Sequence, residues 1–164
     1  MRFLALALLL LTPMAAEAQE VERLAGTSTA PIAGAVTVPP GYTTYYLSGA
    51  TAAVANANAP AGSYERFGDI TTQTRSVLDN LKGTLTKLGL TFADVVQAHV
   101  YMTPDPAKNG DIDFAAMNKV WSTEFGSATQ PNKPARATLK VAGLASPGLL
   151  VEIEFTAVKK VAAK

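Results

Sequence analysis

The chain has 164 residues, 48% of them hydrophobic, a size and composition that suit one domain with a sizeable core. Its 14 lysines and arginines against 13 acidic residues leave a formal charge of +1, so it lacks the basic stripe that nucleic-acid binding needs. The absence of cysteine excludes disulfides, thiolate catalysis and cysteine metal sites, and a single histidine, His99, leaves little for a metal.

The chain opens with Met1-Arg2 and an apolar run from Phe3 to Leu11, too short to span a bilayer. Ala16-Glu17-Ala18 supplies the small-x-small pattern of a signal-peptidase site, so residues 1–18 read as a cleaved secretory signal. That predicts a periplasmic or secreted protein with no membrane span after cleavage. Residues 19–30 are weakly patterned and read as a flexible lead-in. Ala35 to Val38 reads as a strand stopped by Pro39-Pro40-Gly41, and Tyr42 to Gly49 as a second, aromatic and β-branched one; together they suggest a hairpin. Residues 50–62, rich in Ala, Asn, Pro and Gly, read as a long loop.

Asp69 suits the N-cap of a helix in which Ile70, Thr74, Val77, Leu78, Leu81, Leu85 and Leu88 share one face, with Gly89 just past its end. Asp94 opens a strand to about Thr103, where Val96, Ala98, Val100 and Met102 alternate with Gln97, His99 and Tyr101. A second helix, 113–125, carries Phe114, Met117, Trp121 and Phe125 as its apolar stripe. A Pro131/Pro134 loop leads to a strand from Ala135 to Val141. Ser146-Pro147-Gly148 is a turn before the last strand, 150–157. Residues 159–164 read as a basic, solvated tail. The order ββαβαββ predicts an α+β domain, with two helices on one face of a mixed sheet of about six strands.

In the Ala135–Val141 strand, Ala137, Leu139 and Val141 alternate with Arg136, Thr138 and Lys140; in the last, Val151, Ile153, Phe155 and Ala157 alternate with Glu152, Glu154 and Thr156. Both apolar sets want a core, so Arg136, Thr138, Glu152 and Glu154 share the second face with Ser48, Gln97, His99 and Tyr101. That face is either solvated or buried in an oligomer. A guanidinium with a carboxylate nearby can hold an anionic substrate and move its protons.

The segment Pro134-Ala135-Arg136-Ala137-x-Leu139, then Ala142-x-Leu144, then Val151-Glu152-Ile153-Glu154, resembles the C-terminal signature of the RidA (YjgF) family, whose members include enamine/imine deaminases. Ser48-Gly49, Asp94-Val95-Val96 and Phe114-x-x-x-Asn118 add to the likeness, which spans residues 31–158. The resemblance implies a RidA-like, chorismate-mutase-like sheet and a homotrimer with pockets at subunit boundaries. It implies that Arg136 holds a substrate carboxylate and that Glu152 lies close to the attacking water. It places Ser48, Asn118 and Thr138 on the pocket wall, with Asn118 contributed across the interface. No metal or cofactor is demanded. Three positions depart from the family pattern: Ala35 stands where a tyrosine is common, Ala50 where a glutamine is, and Thr138 where a cysteine is.

The implied reaction is hydrolysis of small 2-imino or enamine acids to 2-oxo acids and ammonia. The alternatives are a non-catalytic protein of the same fold that binds a small carboxylate, or a chaperone-like one. Tyr45, Tyr46 and Tyr101 read as packing or interface residues, His99 as a packed or solvated side chain, and Trp121 as core.

Overall fold

The computed structural model describes residues 19–26 and 30–162; the predicted leader, 1–18, and Lys164 lie outside the described residues. Six strands and three helices follow in the order β1 (Glu22–Ala25), β2 (Ala33–Thr37), β3 (Tyr42–Thr51), α1 (Tyr64–Phe67), α2 (Ile70–Lys87), β4 (Val95–Met102), α3 (Phe114–Glu124), β5 (Ala135–Lys140) and β6 (Val151–Lys160). One mixed sheet runs β1-β2-β5-β4-β6-β3, with β2/β5 and β4/β5 parallel and the other pairs antiparallel.

The helices begin where their caps dictate. Asp69 accepts a hydrogen bond from Thr72 N at 2.8 Å, and Asp113 accepts one from Ala116 N at 3.0 Å, each satisfying an orphan donor of the first turn. Gly89 ends α2 in the left-handed region at φ 69°, which spares a side chain the steric cost there. The apolar face of α2 (Val77, Leu78, Leu81, Leu85) packs with Met117, Val120 and Trp121 of α3 onto Ala98, Val100, Ile153 and Phe155 of the sheet. Trp121 and Phe125 stack at 4.3 Å between ring centroids and meet Phe155 edge-on, an arrangement that favours ring quadrupoles as well as burial.

Four sequence expectations need correction. The lead-in contains β1, which pairs along β2 and sends the Arg23 guanidinium to the carbonyls of Ala93 and Val95, 3.0 Å from each. A four-residue strand anchored by one long-range side chain leaves little periodicity to read. The 35–38 and 42–49 strands are not a hairpin: β3 pairs with β6 over most of its length, while β2 lies between β1 and β5. Pro39 and Pro40 supply no amide donors to hold a tight turn. At the other end, Lys159 and Lys160 extend β6 rather than forming a tail; Lys159 reaches Gly89 O and Lys160 pairs with Glu20.

The fourth correction bears on the site. The predicted apolar sets face the helices in β6 and, from Ala98 onward, in β4, where an irregularity after Val95 puts Val95 instead of Val96 in the core. In β5 the phase is reversed. Arg136 pairs with buried Ala98 and Thr138 with buried Val100, so both point to the helix side, whereas Ala137 and Leu139 pair with His99 and Tyr101 on the open face. Leu139 is 44% exposed there. The helix layer sits over β3 and β6, and β5 lies towards its margin. Its inward positions meet one flank of α3, where a long amphipathic side chain fits better than a short apolar one.

Gln73, fully buried on α2, donates to Gly68 O and Gly148 O and accepts from Leu150 N, all within 2.9 Å. It ties the loop before β6 to the start of α2. Gln73→Leu strands two carbonyls and one amide without water, and urea unfolding should show a loss of about 3 kcal/mol.

Candidate functional site

Arg136 is held against α3. Its Nη2 donates to Asn118 Oδ1 at 2.8 Å. Its guanidinium carbon sits 4.6 Å from the centre of the Trp121 ring and 5.7 Å from that of Phe114. Phe114, Asn118 and Trp121 are spaced i, i+4, i+7, so three successive turns of α3 present one stripe to the arginine. Such cation–aromatic contacts contribute about 0.5–2 kcal/mol when desolvated. They also hold the planar head in one orientation.

Two polar atoms at this spot are unsatisfied. Arg136 Nη1 and Thr138 Oγ1, on the same face of β5, are buried without a hydrogen-bond partner. A buried donor left alone costs about 1–3 kcal/mol, more when charged, and such atoms mark places where a missing partner belongs. Burial pushes the Arg136 pKa down to about 10, and no acidic side chain offsets it. At neutral pH the group is still a cation, held by an amide and two rings instead of a carboxylate.

Glu152 is elsewhere. It pairs with Tyr101 between fully buried Val151 and Ile153, and so points to the open face. The pairing of β3 with β6 passes from Leu47↔Phe155 to Ala50↔Ile153, a bulge that places Ser48 and Gly49 as the extra stretch of β3. The Glu152 carboxylate lies over Gly49, where a methyl group would overlap Oε1. Beside it, His99 Nδ1 and Tyr101 OH contact Glu154 Oε1 at 2.8 and 3.0 Å. The Glu154 bond, and secondarily burial, holds the Tyr101 hydroxyl above the ordinary phenol range.

The predicted site residues therefore fall into two groups. Arg136, Asn118 and Thr138 are together on the helix side; Glu152 is on the open side over Gly49, the residue after Ser48. The expectation that Arg136 and Glu152 share a face is overturned by the reversed phase of β5. Asn118, expected to be contributed across a subunit boundary, bonds Arg136 within the chain. Two features escaped the sequence reading. The Phe114–Trp121 clamp was legible only as a helical stripe, and the stripe's first residue proves 44% exposed. The His99–Glu154–Tyr101 cluster depends on the register of β4 with β6. Among the described residues, no group of three or more His, Cys, Asp or Glu is arranged to hold a metal ion.

Residues 33–159 match the family model described as Endoribonuclease L-PSP. The chain belongs to the YjgF/RidA/L-PSP (RutC) family. It is 40% identical over 93 residues to a RutC family protein of Pyrococcus horikoshii, an alignment covering 57% of this chain and 65% of that one. A RutC family protein of Haemophilus influenzae is 39% identical over 93 residues, covering 56% of this chain and again 65% of the relative. The chain thus spans just under two thirds of the curated relatives it matches. Among solved structures, the Rid-family protein YyfB of Yersinia pestis has a TM-score of 0.59 at 28% identity, covering 84% of this chain and 98% of that one. A YjgF-family protein of Neisseria meningitidis has a TM-score of 0.52 at 29% identity, covering 87% and 98%. The family includes enamine/imine deaminases.

A buried guanidinium with one donor unsatisfied predicts binding of small carboxylates. Acetate or a 2-oxo acid should perturb the emission of Trp121, the only tryptophan. Binding should be indifferent to pH near neutrality and weaken as pH rises through about 10, where the cation is lost. Arg136→Met, which keeps the apolar stem, should abolish the response.

Proposed function

We propose that this protein is a deaminase of small 2-imino and enamine acids, working as a homotrimer whose pockets lie between subunits. The observation that carries the reading is the guanidinium of Arg136, buried with Nη1 and the neighbouring Thr138 hydroxyl unsatisfied. A carboxylate beside the imine carbon supplies the missing anion, and the planar fork accepts it in a fixed orientation. Asn118, bonded to the same guanidinium, keeps that fork from turning.

One chain cannot finish the reaction, because Glu152 is on the other side of the sheet. In a head-to-tail ring, every interface can join the Arg136 side of one copy to the Ser48–Gly49–Glu152 side of the next. With the acid end held, water adds to the imine carbon, forming the C–O bond. Glu152 takes one proton from the water and passes it to nitrogen, giving a carbinolamine, then takes the hydroxyl proton and delivers it to the amine. The C–N bond then breaks, leaving a 2-oxo acid and ammonia. An enamine enters as its imine tautomer. Such imines hydrolyse unaided, so orientation and proton transfer supply the acceleration without a covalent intermediate.

Export belongs to the same proposal, supported by the apolar run Phe3–Leu11 and the Ala16-Glu17-Ala18 pattern. A second reading, a carboxylate-binding protein without turnover, is favoured by the placement of the whole anion half-site in a chain that keeps Glu152 away from it.

The assay is depletion of an imine formed in situ by an amino-acid oxidase. Arg136→Ala should abolish acceleration and Glu152→Gln should lower it by about 100-fold or more. Refolding the two inactive variants together at equal amounts should restore about a quarter of the sites, since about one interface in four then joins the intact half of each parent. Recovery would exclude a site built within one chain; carboxylate binding with no turnover in the unmutated protein would favour the second reading. Gly49→Ala should leave the fold intact, because the clashing carboxylate is the free end of a side chain, yet displace Glu152. Its kcat should fall at least tenfold, with carboxylate binding kept.

A further inference from the structure

The proposed reaction leaves the substrate's side chain unspecified, and the surroundings of Arg136 bear on it. Phe114 is the first residue of α3, held by the Asp113 cap, and its ring is 5.7 Å from the guanidinium carbon. Unlike Met117 and Trp121 further along the helix, which are fully buried, Phe114 is 44% exposed. A large apolar ring is thus kept at the surface beside an anion-seeking group. Burial in the core does not account for it.

The charges nearby are spent. Lys108 is bound to Asp113 at 2.9 Å and Lys140 to Asp111 at 3.0 Å. Lys119 is exposed and projects about 100° round the helix from Asn118. A ligand with a second carboxylate would find neither Lys108 nor Lys140 free to receive it, since each already holds an aspartate. An apolar or aromatic substituent would instead lie on the ring.

We propose that Phe114 is a specificity-determining residue and that the site takes monocarboxylate 2-imino acids with an apolar side chain, branched or aromatic, in preference to dicarboxylates. This rests on the reading of Arg136 as the carboxylate anchor. Phe114 contributes ring surface and not chemistry, so its effect falls on discrimination between substrates.

Imines made in situ from phenylalanine, leucine, alanine and glutamate would be compared on the unmutated protein and on Phe114→Ala and Phe114→Leu. The expected kcat/KM order is phenylalanine and leucine over alanine, with glutamate last. Phe114→Ala should lower every imine to some extent, since the ring also steadies Arg136, but the phenylalanine and leucine imines about tenfold more than the alanine imine. Phe114→Leu should retain the leucine imine. Equal loss for all four would make Phe114 a support for Arg136 and overturn the proposal, as would a glutamate imine that competes with that of leucine. Should no imine be hydrolysed, the reaction fails but this proposal is still read by equilibrium binding of the four corresponding 2-oxo acids through Trp121 emission. The same ranking, lost in Phe114→Ala, supports it; no ranking overturns it. A Phe114→Ala variant that changes assembly in sedimentation while keeping the ranking also overturns it, since the ring would then be interface.

Discussion

A cation pressed against an indole with no anion to answer it governs the organisation of this molecule. Arg136 is long enough to lie along Trp121 and reach Asn118, and its burial lowers its pKa without any carboxylate raising it again. Isolated charges of this kind are costly in a low-dielectric setting. They persist where a ligand or a partner completes them. The reversed phase of β5, the exposed ring of Phe114 and the idle hydroxyl of Thr138 all surround that one group at the margin of the core.

The sheet divides the chemistry in two. Its helix side offers a fixed fork for an anion, and its open side offers carboxylates: Glu152 against the glycine of a bulge, Glu154 bonded to His99 and Tyr101. A sheet only one residue thick separates them, yet side chains that alternate cannot cross it. In the proposed trimer, a repeated head-to-tail interface would present opposite sides of neighbouring copies to each other. The exposed Leu139 and Tyr46 suit such a surface better than they suit water.

Much of the architecture was legible from residues alone. The cap at Asp69, the leucine face of α2, the glycine that ends it, and the alternation in β4 and β6 each express a local rule strong enough to survive tertiary context. Elements held by distant partners were not. β1 depends on Arg23 reaching carbonyls some seventy positions away, and β3 finds β6 instead of the strand beside it in sequence.

Sequence by itself determined the α+β class, the two main helices, the family and the residue types gathered at the site, because periodicity, capping and a dense C-terminal motif are all short-range signals. Only the tertiary structure decided which way β5 faces. Strict alternation fixes that Arg136 and Leu139 oppose each other, but not which of them meets the helices. That choice turned on where α3 lies across the sheet, and it moved the arginine from the glutamate's side to the tryptophan's.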